Sequence, residues 1–494
     1  MIDLRRLSSS VLIIGVLSSW LDVGGRSLAE PLAAGAATAS ASDETLYHEI
    51  YRPQFHFTAR ENWHNDPNGL VWYKGEYHLF FQHNPRGIQW GNMTWGHAVS
   101  TDLVHWKQLD HAIYPDEHGT IFSGSAVVDH NNTTGFRTGD DAPIVAVFTY
   151  AGRFVKPQRP FTQGIAYSND RGRTWHKYQG NPVVENLGPA NRDPKVFWHR
   201  PLKRWIMVLY LGQRGKFTIL HSNDLKQWKR VSDVAFPNGH ECPELFELPV
   251  DGNPKDTRWV FWQGDGRHLI GRFDGTHFTP ESDVLRSEWG KNCYAGQTWN
   301  DVPDGRRIFI AWMAHGRYPG MRFNQQMSFP RRLTLRTTDQ GLRLFAYPVR
   351  EIERLYRSKH EWSDRPLSPG ENPLEKLRGD LWDIELVIEP RDARTIDLDI
   401  RGNRLRYDVE QQMLAGFGKS APVQTVNGRL SLRVLVDRTS IEVFAGDGRI
   451  VMSFCFVPDL TNRRLRLSAA GGSAHIEKLQ VRALRSIWEK PPSE

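Results

Sequence analysis

The sequence predicts an all-β protein, in which a five-bladed β-propeller is followed by a C-terminal β-sandwich. From about residue 50 onward, short strand-like runs rich in β-branched and aromatic residues alternate with turns rich in Gly, Asn, Asp and Pro. A turn motif recurs at the spacing of propeller blades, and the texture of the sequence changes after Pro348. The 494 residues also exceed what one hydrophobic core usually supports, so two domains are expected.

The N-terminus is typical of an export signal. Two arginines precede a short apolar stretch, and Ser27-Leu28-Ala29 offers a small-residue cleavage site. We therefore expect residues 1–29 to be a signal peptide and residues 30–47, rich in Ala and Ser, to be a flexible leader. The mature protein is expected to be secreted or periplasmic. No later run reaches the ~18 apolar residues of a membrane span.

The predicted propeller, residues 48–348, depends on an internal repeat. The motif Ser-x-Asp followed by Trp contains Asp102, Asp170 and Asp224 in turn, and a degenerate fourth copy contains Asp274. The spacings of 68, 54 and 50 residues leave room for four strands and their turns. Repetition at this scale in an all-β chain predicts propeller blades, about five in number. Each motif is expected to join the outer strands of its blade.

A second strand series follows a connector predicted at residues 349–378. Alternation of apolar and polar residues, as in residues 431–436, is typical of a sheet with one buried face, and two such sheets would pack as a sandwich over residues 379–486. The predicted strands cover residues 381–388, 395–400, 430–436, 440–444, 450–456 and 465–469.

Three carboxylates lie in separate turn-rich motifs at the starts of predicted blades. Asp66 lies in WHNDPNG, Asp193 in RDPK and Glu241 in ECPEL. Because the innermost strand of every blade lines the central axis, these acids can converge despite their separation in the chain. Carboxylates with separate roles are what cleavage of a glycosidic bond requires. The three acids are therefore predicted to form the catalytic site.

Charge and cysteine content exclude other classes of function. The formal charge of +7 is spread along the chain without a basic run or a nucleic-acid motif, so no nucleic-acid partner is expected. Cys242, Cys293 and Cys455 cannot form a disulfide framework, although one pair could form, and none has metal-ligand spacing. No metal and no cofactor are expected. Cys242 is predicted to pack as a small buried residue behind Glu241 rather than to act as a nucleophile.

The motifs resemble those of glycoside hydrolase family 32, which contains invertases, inulinases, levanases and related β-fructosidases. The match spans nearly the whole mature chain, and the family's fold, a five-bladed propeller with a C-terminal β-sandwich, agrees with the blade count above. Around Asn292 and Cys293 the chain departs from many relatives, which have an acidic residue and Phe; contacts beyond the fructose subsite are therefore open. Besides the acid motifs, the resemblance is carried by WGNMTWGHA at 90–98, FSGSA at 122–126, AWM at 311–313 and VDRTSIEVF at 436–444.

The resemblance also implies a role for each matched residue. Asp66 would be the nucleophile that forms a fructosyl-enzyme ester, and Glu241 would be the acid and base. Asp193 would bind ring hydroxyls and stabilise the transition state. The residues that match fructose-binding positions are Asn65, Gln82, Trp90, Phe122, Ser123, Arg192 and Trp312.

The function hypothesis is an exported retaining β-fructosidase that removes terminal fructose from levan, inulin and sucrose. A sucrose-preferring invertase and a fructosyltransferase remain alternatives within the enzyme class. A non-catalytic fructan-binding propeller is the rival from another class, since propellers have many functions. We expect a monomer. The preferred linkage, exo or endo action and the ratio of hydrolysis to transfer do not follow from the sequence.

Overall fold

The computed structural model describes residues 46–489, and this part of the chain is all-β, as predicted. Its helical content is two short 3-10 turns, Gly152–Phe154 and Arg350–Leu355. No helix within residues 46–489 is long and apolar enough to cross a bilayer. The predicted signal peptide and nearly all of the predicted leader lie outside the described residues.

Each of the first three sheets contains four consecutive strands that pair in chain order and antiparallel. A late short strand, β20 (Phe323–Asn324), adds in parallel to the free edge of β1. The strands of the three sheets are β1 (Asn62–Tyr73), β2 (Glu76–Asn84), β3 (Thr94–Ser100), β4 (Lys107–Gln108), β5 (Thr120–Val128), β6 (Ile144–Ala151), β7 (Phe161–Ser168), β8 (His176–Lys177), β9 (Arg192–His199), β10 (Arg204–Tyr210), β11 (Lys216–Ser222) and β12 (Lys229–Ala235).

The next strands form one sheet of nine, in which two antiparallel groups meet at a parallel pair between Val250 and Leu335. The first group contains β13 (Glu244–Val250), β14 (Asn253–Trp262), β15 (Arg267–Phe273), β16 (Phe278–Pro280) and β17 (Leu285–Arg286). The second group contains β18 (Tyr294–Thr298), β19 (Arg307–Trp312), β21 (Arg331–Thr338) and β22 (Gly341–Pro348).

The repeated Ser-x-Asp turns join the third and fourth strands of their sheets, as predicted. In the first copy, Oδ1 of Asp102 accepts hydrogen bonds from the backbone amides of Val104 and His105 at 3.0 and 2.8 Å. The degenerate copy at Asp274 caps its turn in the same way. These carboxylates satisfy amides that the strands leave unpaired, so the role of the repeat is structural.

Two further sheets pack face to face and enclose a hydrophobic core of their own. The predicted sandwich strands are therefore confirmed. The six-stranded sheet has the order β23 (Tyr356–Leu367), β33 (Ala474–Leu484), β24 (Trp382–Glu389), β29 (Leu430–Asp437), β30 (Ser440–Ala445) and β31 (Ile450–Cys455). The five-stranded sheet has the order β28 (Lys419–Pro422), β27 (Met413–Gly416), β26 (Asn403–Asp408), β25 (Thr395–Ile400) and β32 (Leu465–Ala470).

The predicted connector, residues 349–378, is wrong in part, because it contains strand β23. This strand lies at the edge of its sheet and pairs with β33 along its whole length. Of its twelve residues, only Leu367 is buried. An exposed edge strand lacks the alternating apolar residues by which a half-buried strand is found in a sequence.

A buried cluster of charges joins the sandwich to the N-terminal sheets. Arg331 on β21 contacts Glu288 at 2.9 Å and also Glu442 on β30. His56 lies between Glu442 and Asp437, at 2.9 and 2.8 Å. Burial lowers the pKa of His56, but its hydrogen bonds to both carboxylates raise the pKa more, to about 9. Because Asp437 and Glu442 belong to the motif at 436–444, this motif serves the interface.

Candidate active site

β-Bulges near the starts of two strands place Asp66 and Asp193. Where β1 pairs with β2, Asn65 and Asp66 together face the single residue Gln82. Where β9 pairs with β10, Asp193 and Pro194 likewise face one residue, and Asp193 has a left-handed φ of 62°. A bulge breaks the alternation of side chains along a strand and redirects them. The acids are thus turned out of the sheet pattern at the starts of their strands.

A third bulge brings a hydroxyl group to Asp66. Ser123 of β5 has no partner on β6, although the residues on both sides of it are paired. At Gly124 the two backbones approach so closely that a Cβ atom would lie 2.0 Å from the carbonyl oxygen of Val147. The Ser123 hydroxyl donates a 2.7 Å hydrogen bond to Oδ2 of Asp66. Glycine at 124 therefore allows the bulge that aims Ser123.

Asp66 is held by two side-chain donors. Besides the Ser123 hydroxyl, the amide of Asn65 donates to Oδ1 at 3.1 Å. Burial raises the pKa of Asp66 to about 6; the bonds from Ser123 and Asn65 oppose this shift, and the charge of Glu241 adds to it. Asp66 is therefore ionised at neutral pH and protonated in mild acid.

Cys242 connects Asp193 to Asp66. Its backbone amide donates to Oδ2 of Asp193 at 3.3 Å, and its sulfur lies 3.6 Å from that oxygen and 3.8 Å from Oδ2 of Asp66. Burial raises the pKa of the Cys242 thiol well above its usual value. The residue is therefore a buried, protonated thiol, in agreement with the packing role predicted for it.

Asp193 is the most enclosed of the three acids, with 5% of its surface exposed. Its amide donates to the hydroxyl of Thr149 at 3.0 Å. Burial raises the pKa of Asp193 to about 8; the Arg192 guanidinium opposes the shift, and the charges of Glu241 and Asp66 add to it. The cluster therefore retains protons close to neutral pH.

Glu241 faces solvent and is oriented by two neighbours. Arg192 donates to Oε2 through Nε and Nη2, at 2.8 and 2.6 Å, and Tyr294 donates to Oε1 at 3.1 Å. The Glu241 side chain is 31% exposed. Both oxygens therefore have fixed directions while the carboxyl group stays accessible to a substrate.

Glu244, three residues after Glu241 in the sequence, is enclosed within the fold. It is fully buried, at 2.9 Å from the ammonium of Lys195, and it accepts a hydrogen bond from Thr298 at 2.7 Å. This ion pair lies at the start of β13. Of the two glutamates in the motif, only Glu241 can meet a substrate.

Among the other predicted binding residues, Asn65, Ser123 and Arg192 contact the acids directly. Gln82 is buried opposite the first bulge, and its amide nitrogen has no hydrogen-bond partner within the described residues. A buried donor of this kind needs a partner, and a hydroxyl group of a ligand can supply it. The amide nitrogen of Gln82 is therefore free to donate to a ligand, and its binding role stays a prediction.

Two aromatic groups flank the acids. Trp312 donates to Oε1 of Gln325 at 2.9 Å and lies edge-on to Trp63 and Tyr294, with ring centroids at 6.0 and 6.4 Å. Trp90 and Phe122 form a separate group, with ring centroids 6.0 Å apart. Phe122 directly precedes Ser123 in the chain. Trp312 therefore reaches the acids through Tyr294, and Phe122 reaches them through its neighbour Ser123.

Several residues that contact the acids or the predicted binding residues were not predicted from the sequence. Trp63 donates to Oδ1 of Asn65 at 2.8 Å, and Tyr294, Thr149 and Gln325 make the contacts given above. Tyr294 lies beside a fourth bulge, formed by residues 295 and 296. Trp63 lies in the motif of Asp66, but its residue type indicated no role there, and the other three belong to no motif with catalytic chemistry. The signal that could have found them, the bulge at the start of a strand, is a property of the paired backbone.

The departure at Asn292 concerns the domain interface. Its carbonyl oxygen accepts a bond from the backbone amide of Cys455 at 2.8 Å, and its amide nitrogen donates to the carbonyl of Ala314. A carboxylate could not donate to Ala314, so the amide suits this position.

Cys242, Cys293 and Cys455 are all free thiols. Within residues 46–489, no group of three or more His, Cys, Asp or Glu residues could hold a metal ion.

Comparisons with known proteins show the family of the chain. The models of the N-terminal and C-terminal domains of glycosyl hydrolases family 32 match residues 56–348 and 351–483. A levanase of Bacillus subtilis (strain 168) is 42% identical over 92% of this chain and 74% of its own length. An extracellular exo-inulinase of Aspergillus niger is 32% identical over 90% of this chain and 96% of its own length.

Solved structures give the same result. An exo-inulinase from Aspergillus awamori has a TM-score of 0.81 and 30% identity, covering 90% of this chain and all of that one. A β-fructofuranosidase from Schwanniomyces occidentalis has a TM-score of 0.78 and 28% identity, covering 91% and 100%. The chain therefore belongs to glycosyl hydrolases family 32, as the motifs indicated, and it is a glycoside hydrolase.

Proposed function

We propose that this protein is an exported retaining β-fructosidase that hydrolyses terminal β-D-fructofuranosyl residues of levan, inulin and sucrose. The levanase and exo-inulinase among its relatives support fructans as the substrate class. The observation that carries the proposal is the linked set of acids, in which Cys242 lies within 3.8 Å of both Asp66 and Asp193 and Glu241 adjoins it. Two acids with separate roles, and a third that binds sugar, fit this chemistry.

In the first step, Asp66 attacks the anomeric carbon of the terminal fructose. The bond from that carbon to the leaving oxygen breaks, Glu241 gives its proton to this oxygen, and a fructosyl ester forms on Asp66. Asp193 binds ring hydroxyls beside the reacting carbon. In the second step, Glu241 takes a proton from water, which hydrolyses the ester and releases fructose.

The surroundings of Glu241 suit a group that must be held in position for proton transfer. Arg192 and Tyr294 keep the carboxyl oriented in the resting site, where Arg192 also balances the charges of Asp193 and Glu241. The raised pKa values of Asp66 and Asp193 mean that the cluster holds protons near neutral pH.

Seven side chains would form the fructose pocket around the acids. Polar donors fix hydroxyl groups of the sugar, and aromatic rings cover its apolar faces. The unpaired amide nitrogen of Gln82 supports this pocket most directly. The proposed residues are Asn65, Gln82, Trp90, Phe122, Ser123, Arg192 and Trp312.

We also propose that the N-terminal sheets form five blades over residues 48–348. The fourth blade would be β13 to β16, and the fifth would be β18, β19, β21 and β22, since these two groups meet at one parallel pair. The connector then shortens to residues 349–355, because β23 belongs to the sandwich, which would run to residue 486. The boundary between the two family models, at residues 348 and 351, supports this division.

The proposal extends to the location and assembly of the protein. Secretion or periplasmic export is supported by the basic and apolar pattern of residues 1–29 and by extracellular relatives. A monomer remains our expectation.

The proposed function is tested by sugar release from sucrose, inulin and levan. Asp66→Ala and Glu241→Ala should each release fructose at least about a thousandfold more slowly. Glu477→Ala, an acid on the sandwich that pairs with Arg429, is the matched control and should be active.

The products separate the remaining alternatives. Free fructose alone from the polymers supports exo-hydrolysis, ladders of oligosaccharides indicate endo-cleavage, and fructosylated products indicate a transferase. Binding of fructan by the wild-type protein without any release would favour the non-catalytic propeller. Near-normal activity of either acid variant would contradict the assignment of that acid.

A further inference from the structure

Three aromatic side chains form an exposed surface beside the acids, and one of them, Phe154, matches no fructose-binding position. The ring centroids of Trp90, Phe122 and Phe154 lie 5.4 to 6.0 Å from one another. Trp90 is 44% exposed and Phe154 41% exposed. We call these three residues the aromatic platform.

The platform is continuous with the acid cluster. Phe122 directly precedes Ser123, whose hydroxyl contacts Asp66 at 2.7 Å, and consecutive Cα atoms are ~3.8 Å apart. The indole of Trp95 donates to the carbonyl of Phe122 at 3.0 Å and fixes its backbone. Phe122 is half-buried, whereas Trp90 and Phe154 are exposed. The platform therefore leads from the acids towards solvent.

Phe154 is held in place by its own loop. It ends the 3-10 turn Gly152–Phe154, and the carbonyl of Gly152 accepts a bond from the amide of Arg159 at 3.0 Å. A Cβ atom at residue 152 would lie 2.6 Å from the carbonyl oxygen of Arg159, so the loop closes tightly on this glycine. The guanidinium of Arg153 covers the rings of Phe154 and Phe161 at 5.0 and 5.6 Å. The platform is therefore formed before any ligand binds.

We propose that Phe154, together with Trp90, binds the sugar units that follow the terminal fructose of a fructan chain, and so favours the polymer over sucrose. This inference rests on the proposed function. Exposed aromatic surface lowers its free energy when it is covered, and the C–H face of a sugar ring can cover it. Because the terminal fructose occupies the acid cluster, the rest of the chain must leave towards solvent, which is where the platform lies.

The test compares Phe154→Ala with wild type on inulin, levan and sucrose. Because the ring would add binding without touching the reacting carbon, KM for the polymers should rise about fivefold to tenfold with little change in kcat, and KM for sucrose should rise less than about twofold. Phe154→Trp should restore the polymer KM. Leu202→Ala, which removes another exposed apolar side chain from the turn after β9, is the control and should match wild type.

A binding measurement separates this inference from the proposed function. In an Asp66→Asn background, calorimetry with inulin oligosaccharides should show weaker binding when Phe154 is also replaced by Ala. Weaker binding supports the platform even if the wild-type protein releases no fructose. Unchanged polymer KM and unchanged oligosaccharide affinity, or equal losses for sucrose and polymer, would overturn it while leaving the hydrolase assignment intact.

Discussion

At the scale of single residues, two buried carboxyl groups have raised pKa values and lower the stability of the protein when they are ionised. The pKa values of Asp66 and Asp193 are raised to about 6 and about 8, in both cases chiefly because the groups are buried. A carboxyl whose pKa is higher in the folded than in the unfolded protein opposes folding once both states are ionised. When they are ionised, these two acids therefore lower the stability of the fold.

Asp193→Asn should stabilise the protein in a pH-dependent manner. Between about pH 4 and pH 8, folded wild type binds more protons than the unfolded chain, so its stability falls as pH rises through this window. The variant lacks this group and should be more stable than wild type by at least about 1 kcal/mol at pH 8, with a smaller difference at pH 5. Denaturant unfolding at both pH values measures this.

The control for that experiment is Asp256→Asn, which changes an exposed carboxylate and should shift stability by less than about 0.5 kcal/mol at either pH. Fructose release by Asp193→Asn should fall sharply. A variant less stable than wild type at pH 8 would show that the negative charge of Asp193 supports the fold.

At the scale of strands, bulges convert regular sheets into a site. Each bulge adds one residue at the start of a strand, and three of them present Asp66, Ser123 and Asp193. The repeated Ser-x-Asp turns, by contrast, close the far side of three sheets and have no part in the chemistry. The acids and the repeated turns thus lie at opposite ends of the same antiparallel sheets.

Features that lie in local motifs could be predicted from the sequence, whereas contacts that depend on strand pairing could not. The acids and the turns lie in local motifs, and strands such as β25 (Thr395–Ile400) were bounded correctly because their apolar residues alternate. Tyr294 could not be found, because its contact with Glu241 depends on how β18 pairs with β19, across 53 positions of the chain. Strand β23 was missed because its exposed side chains carry no alternation.

Gly124→Ala tests the bulge at Ser123. The added Cβ would lie 2.0 Å from the Val147 carbonyl oxygen, so backbone must shift, and we expect a loss of at least about 2 kcal/mol together with most of the activity. Gly139→Ala is the control, because no atom lies within 4 Å of its Cβ position and its φ is not left-handed. Thermal unfolding of both variants gives the comparison; equal melting temperatures would refute the packing argument.

At the scale of the whole molecule, the sandwich and the N-terminal sheets form a shared core. Leu435, Phe444 and Val451 of the sandwich pack in the same apolar cluster as Phe309 and Leu333 of the N-terminal sheets. Arg331 and His56 are neutralised there by acids that include Glu442. The sandwich therefore stabilises the part of the chain that contains the acids.

Glu442→Gln should destabilise the whole protein by about 3–5 kcal/mol, since it removes one charge from a buried set and leaves Arg331 and His56 poorly compensated. The control Glu477→Gln affects a half-exposed ion pair and should cost less than about 1 kcal/mol. Denaturant unfolding followed by tryptophan fluorescence measures both. A loss for Glu442→Gln no larger than that of the control would show that the charges at this interface do not hold it together.

In the proposed mechanism, Asp66 becomes covalently linked to fructose and Glu241 completes the reaction. The most direct measurement is peptide mass spectrometry of the Glu241→Gln variant, quenched during turnover of a β-fructofuranoside with a good leaving group. Such a substrate does not need the proton of Glu241, whereas hydrolysis of the ester needs its base. The account predicts that a fructosyl group accumulates on the peptide that contains Asp66, and that it is absent when Asp66 is also replaced by Asn. Fructose release at the wild-type rate without an adduct, or an adduct on another peptide, would contradict the account.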